Sequence, residues 1–107
     1  MLPINLYNAK QAAYARHLYT QASDTSLSEI ERQRALQNYE YFRLCALRDQ
    51  LDAYKQHDKN ELVIDSFDND FSQTVAQTIK EIAIDIIDTK RKFEISKAIY
   101  EYLEGSK

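Results

Sequence analysis

The chain has few of the residues that usually interrupt regular structure. Among its 107 residues there is one glycine, Gly105, and one proline, Pro3, and both lie near the ends. Tight hairpin turns usually recruit glycine or asparagine, because these residues tolerate left-handed backbone conformations. A fold with many antiparallel strands is therefore disfavoured, and long helices suit this composition best.

Metal-binding residue types are also scarce. Cys45 is the single cysteine, so no internal disulfide can form, which fits a reducing compartment. Together with His17 and His57 it falls short of four zinc ligands. Neither histidine follows a glutamate by three positions, as the ligand pairs of di-iron bundles require. We expect no cofactor and no transition-metal centre.

Long apolar runs are missing as well. No stretch approaches the roughly 20 apolar residues of a transmembrane helix. The first residues, Met-Leu-Pro-Ile-Asn, lack the basic and apolar regions of a secretory signal. We expect one domain over residues 1–107, located in the cytoplasm and without a membrane partner.

The net charge of −3 is small, and the excess of acidic over basic residues lies mainly in one segment. Acidic residues dominate 58–70, and the only basic run is Lys90-Arg91-Lys92. Three consecutive side chains point in different directions around a helix, so this run does not form a basic face. A nucleic-acid-associated regulatory protein is therefore kept as the alternative function and a protein partner is favoured.

Catalytic patterns are not found. One glycine is too few for a phosphate-binding glycine loop or a G-x-S-x-G nucleophile elbow. Cys45 lies among apolar helix residues, where a thiol behaves as a small apolar group. The acidic segment lacks the glycine and the final glutamate that an EF-hand needs in register. We expect neither an enzyme nor a calcium site.

Hydrophobic spacing predicts an all-α fold, a small bundle of three long helical segments. They cover about residues 6–22, 27–57 and 70–104, and the last is expected to bend near 89–91. An acidic linker, 58–70, joins the helical hairpin to the C-terminal helix. The apolar arc of the second segment is close to 200° wide, which predicts a central helix with neighbours on both sides.

Three capping patterns predict where the helices begin. Asn5 is the candidate N-cap of the first segment. An S-x-x-E pattern makes Ser26 the N-cap of the second, with Glu29 reaching back to it. Asp70 and Gln73 form the corresponding pair for the third.

Two short segments leave strand alternatives open. Leu62-Val63-Ile64 is either extended or an apolar plug inserted from the linker. Residues 82–86 alternate in a manner typical of a β-strand, although the helical spacing on both sides favours a helix.

The isoleucines of the third segment fall on two opposite faces. The first stripe is assigned to the domain's own core and contains Phe71, Val75, Ile79, Ile82, Ile86 and Phe93. One apolar face is enough to dock a helix, so two stripes predict either two partners or a break in the helix between them. We expect a homodimer, and the candidate residues for self-association are Ile84, Ile87, Ile95 and Tyr102.

Tyrosines and acidic residues supply the candidates for a different partner. Tyrosine is enriched at protein interfaces because it combines a large contact area with a hydroxyl group that tolerates water. The partner-binding candidates are Tyr41, Tyr100, Asp65, Asp68 and Asp70. We expect a small non-catalytic interaction module that acts by stoichiometric binding to a macromolecular partner. Its size and charge are typical of bacterial or phage inhibitors, immunity proteins and adaptors.

Overall fold

The architecture is a bundle of three helices with a small sheet at one end. The computed structural model describes residues 2–3, 8–64 and 72–105. In chain order the elements are β1 (Leu2–Pro3), α1 (Ala9–Ser23), α2 (Glu29–Lys55), β2 (Leu62–Ile64), β3 (Ser72–Thr74) and α3 (Val75–Gly105).

The central helix is α2, because both α1 and α3 pack against it. The predicted all-α bundle is confirmed, including the central position of the second segment. The molecule measures 53 × 22 × 18 Å. This elongated shape follows from the 27 residues of α2 and the 31 residues of α3, since each residue adds about 1.5 Å of helix length.

The first helix begins three residues later than predicted. Asn8 is its N-cap: the Asn8 side chain accepts a hydrogen bond from the Gln11 amide at 2.8 Å. The Gln11 side chain accepts one from the Asn8 amide at 3.1 Å, which completes a capping box. Asn5, the predicted cap, lies outside the described residues.

The second helix is capped by Ser28, so the prediction of Ser26 as N-cap is wrong. The Ser28 hydroxyl accepts a hydrogen bond from the Glu31 amide at 3.3 Å. Ser26 instead donates to Asp24 Oδ1 from its amide at 2.9 Å and from its hydroxyl at 2.6 Å. These two hydrogen bonds lower the pKa of Asp24 and form a local turn that ends before the helix starts.

The third helix begins at Val75 and not near residue 70, because the preceding residues form β3. Thr74 and Gln77 make reciprocal hydrogen bonds of 2.9 and 3.3 Å, so the capping box is displaced by four residues from the predicted pair. The linker satisfies two further amides: Val75 donates to the Glu61 carbonyl at 2.8 Å, and Ala76 donates to the Lys59 carbonyl at 3.1 Å.

The sheet joins the linker strand β2 to β1 near the N-terminus and to β3 at the start of α3. Strand β2 is central, and it pairs with β1 in parallel and with β3 in antiparallel orientation. Val63 lies opposite Gln73 in the register of β2 and β3. The extended alternative for residues 62–64 is therefore confirmed.

The long C-terminal helix is continuous. Residues 82–86 are helical, so the preferred prediction is confirmed and the strand alternative is wrong. Residues 89–91 are also helical, which excludes a break there. A bend at that position stays a prediction.

The apolar core lies at the sheet end of the bundle. Its buried members are Leu47, Tyr54, Val63, Val75 and Ile82, and Val63 is fully buried, as expected for a plug. These residues come from α2, β2 and α3, so the core packs the sheet against the helix pair α2 and α3.

The other half of the contact between α2 and α3 is polar. On α3 the buried positions recur every seven residues, and after Ile82 they are occupied by Thr89 and Ser96. On α2 the buried residue seven positions before Leu47 is Glu40. The contact between α2 and α3 therefore contains less apolar area at the end away from the sheet. At that end α1 adds its own buried residues, Ala15 and Leu18.

Candidate partner-binding surfaces

The outer face of α3 carries large apolar side chains in solvent. The exposed fraction is 51% for Ile84, 61% for Ile87, 54% for Ile95 and 74% for Tyr102. At 100° per residue these positions span about 80° of the helix circumference. Ile95 lies at the α2 edge of this face, since it also lines a concavity with Gln33 and Leu36 of α2. The face is about 27 Å long, since 18 residues separate its ends at 1.5 Å each. The four predicted self-association residues thus lie together on one surface.

The first isoleucine stripe has the opposite environment. Val75 and Ile82 are buried, and Ile79, Ile86 and Phe93 are half-buried. The prediction that this stripe forms the core face of α3 is confirmed for Val75, Ile79, Ile82 and Ile86. Phe93 instead contacts the ring of Tyr41, and Phe71 lies outside the described part. The first stripe therefore contributes to the contact between α3 and α2, whereas Ile84, Ile87 and Ile95 of the second stripe are each more than half exposed.

The two predicted tyrosines differ in environment. Tyr41 is 56% exposed on α2, and its ring contacts the ring of Phe93 with centroids 5.7 Å apart. Tyr100 is half-buried, and a hydrogen bond with the Glu104 side chain raises the pKa of its phenol. Within the described residues no ring contact joins Tyr41 to Tyr100.

The acidic candidates Asp65, Asp68 and Asp70 lie outside the described residues. Across the described ranges, no three histidine, cysteine or acidic side chains are close enough to hold a metal ion. His57 is exposed, and its Nδ1 lies 3.2 Å from a carboxylate oxygen of Glu61.

A small charged pocket of about 220 Å³ lies between the three helices near the middle of α2. Glu40 lines it and is only 6% exposed. Desolvation raises the pKa of the Glu40 carboxyl, and the nearby charges of Lys92 and Arg43 oppose that shift only in part. The rest of the lining includes Asp85, Asp88 and Thr89.

The buried position of Glu40 was missed in the sequence, although a pattern there could have revealed it. Glu40 precedes Leu47 by seven residues and Tyr54 by fourteen, so it lies on the same face of the helix. Because glutamate is almost never fully buried without a partner, its charge alone favoured a surface position.

An apolar concavity of about 490 Å³ lies between α1 and α2. Tyr19 and Tyr39 form one wall, with ring centroids 5.3 Å apart. Ala12 and Ala15 form the floor on α1, where small side chains leave the space open. This surface adds a second patch of exposed aromatic area, on the side of Tyr19.

The basic run Lys90-Arg91-Lys92 is exposed, and its side chains separate as predicted for consecutive helix positions. Lys92 lines the pocket that contains Glu40. Arg91 lies within the apolar stripe of the outer face, 20° from Ile84 by helical geometry. The three charges therefore do not form one patch suited to a phosphate backbone.

Comparison with protein-family models, with curated proteins and with solved structures found no match. In the described part of the chain, no helix combines the length and the apolar character needed to cross a membrane.

Proposed function

We propose that this chain is a small protein–protein interaction module that acts by stoichiometric binding through the outer face of α3. The observation that carries the proposal is the set of four large apolar side chains on that face, each more than half exposed. Such binding depends on shape and charge complementarity and requires no chemical step.

The arrangement of these side chains supports an interface more than a solvent-facing surface. Single exposed apolar residues are common on soluble proteins, but contiguous apolar patches are typical of binding sites. Ile84, Ile95 and Tyr102 recur at steps of eleven and seven residues, so they lie along one line of the helix, which we call the strip. Isoleucine also has a stiff side chain, so little rotamer entropy is lost when a partner covers it.

Charged residues accompany the apolar residues on this face. Asp88 and Arg91 are exposed and lie between Ile84 and Ile95 along the helix. Charges that meet opposite charges across a contact add specificity to an apolar interface. The exposed ring of Tyr41 and the concavity beside Tyr19 are available as further contacts for a large partner.

The experiment compares affinity capture by the unmodified chain and by Ile84→Asp and Ile95→Asp variants. We expect the unmodified chain to retain a protein that, once purified, binds it at a fixed stoichiometric ratio. Either aspartate should abolish this binding, because it buries a charge at the contact. Ala13→Asp is the matched control, since Ala13 is an exposed residue on α1 and lies far from the outer face of α3.

Circular dichroism separates loss of binding from loss of structure. Ile84 and Ile95 are more than half exposed, so both variants should keep the helical signal of the unmodified chain. Unchanged binding by both variants would contradict the proposal. Loss of helicity in both variants would also contradict it, because the strip would then be part of the core.

A further inference from the structure

We propose that the occupant of the outer face of α3 is a second copy of this chain, bound antiparallel about a two-fold axis that passes between residues 89 and 90. This inference rests on the proposed function and names its partner. It follows from the positions of two apolar and two charged residues along one helix.

The apolar residues define the axis. Ile84 and Ile95 lie five and a half positions on either side of the point between residues 89 and 90. In an antiparallel pair centred there, Ile84 of each copy faces Ile95 of the other, so the same contact forms twice. Closed two-fold symmetry of this kind is the commonest arrangement of homo-oligomers.

The charged residues define the same axis independently. Asp88 and Arg91 lie one and a half positions on either side of the same point. Each aspartate therefore faces the arginine of the other copy, which gives two interchain ion pairs at the centre of the contact. Both side chains are exposed, Asp88 also lines the Glu40 pocket, and neither makes an ion pair within residues 8–64 and 72–105.

Two charged residues on the flank of α3 also fit this register. Lys80 and Glu101 are both exposed and lie on the same side of the strip. In the antiparallel arrangement Lys80 comes within one helical turn of Glu101 from the second copy. The two charges are opposite, so this contact also favours association, although exposed pairs contribute only weakly.

A parallel arrangement has the reverse electrostatics. An in-register parallel pair places Arg91 against Arg91, Asp88 against Asp88 and Lys80 against Lys80. Like charges directly opposite each other are unfavourable. The sequence of charges along the strip therefore selects the antiparallel orientation.

The test is a charge exchange across the axis, measured by sedimentation equilibrium. Asp88→Arg places arginine against Arg91 in both symmetric contacts, and Arg91→Asp places aspartate against Asp88. We expect each single variant to weaken dimerisation about tenfold, since two attractions become two repulsions. The double variant restores opposite charges and should return to within about threefold of the unmodified chain.

The double variant is its own control for folding, because it carries both substitutions and is expected to dimerise. A double variant as weak as the single variants would overturn the antiparallel register. An unmodified chain that is monomeric at several hundred micromolar would overturn self-association. If the purified partner from affinity capture still binds and depends on Ile84 and Ile95, the proposed function stands while this inference fails.

Discussion

Replacing Leu47 by alanine tests where the core lies. Leu47 is 2% exposed and packs in one cluster with Tyr54, Val63 and Val75, which are themselves at most 5% exposed. Substitutions of this kind cost about 2–5 kcal/mol, and the cost is larger where neighbours cannot move into the cavity. Because these neighbours are held by two helices and a strand, we expect a loss of about 3 kcal/mol.

Thermal unfolding followed by circular dichroism measures this loss, at a concentration low enough to keep the chain monomeric. For a chain of this length, about 3 kcal/mol corresponds to a decrease of roughly 10–15 °C in Tm. Leu62→Ala is the control, since Leu62 lies in β2 but is 42% exposed, and it should cost less than about 1 kcal/mol. Equal losses in the two variants would refute the position assigned to the core.

Two further predictions concern buried charge and helix capping. The raised pKa of Glu40 means that the folded chain keeps this proton over a pH range in which the unfolded chain has released it. The stability contributed by this group therefore falls as pH rises from the unfolded-state pKa through the folded-state pKa. Glu40→Gln should flatten that decrease in urea unfolding measured across pH, and an unchanged pH profile would contradict the burial argument. Ser28→Ala removes the N-cap of α2 and should cost about 1 kcal/mol in urea unfolding, whereas Ser26→Ala should cost less than about 0.5 kcal/mol. A larger loss of stability for Ser26→Ala than for Ser28→Ala would indicate that Ser26 is the N-cap.

The helical content of the fold could be predicted because every indicator agreed. The scarcity of glycine and proline, the 3.6-residue spacing and the wide apolar arc of the second segment all favour helices. The helix starts were less predictable because local patterns compete. Ser26 and Ser28 are each followed three residues later by a glutamate, and the hydrogen bonds to Asp24 decide between them.

The strands β1 and β3 could not be predicted. They contain two and three residues, which is too short for a period-two pattern to show. Their pairing depends on Val63 entering the core, which is a tertiary contact. The same contact explains why the third helix begins at Val75.

The exposed apolar face of α3 was largely predictable from periodicity, but the antiparallel register that we propose for two copies was not. Ile84, Ile87, Ile95 and Tyr102 were selected by spacing, and all four are exposed. The proposed pairing of Asp88 with Arg91 needed the structure, because both residues first had to be shown to be exposed on α3. Glu40 was missed because burial of a charge is decided by packing against α3.

The most direct measurement is the distance between spin labels on two copies of the chain, in which Cys45→Ala removes the native thiol and either Ala76→Cys or Lys90→Cys supplies the single labelling site. Ala76 and Lys90 are exposed and lie off the strip. The antiparallel register places the two Ala76 labels about 40 Å apart along the axis, since 27 residues at 1.5 Å separate them. The two Lys90 labels lie almost level, within about 20 Å across the helix pair. A short distance at both positions, or no intermolecular distance at several hundred micromolar, would contradict the account.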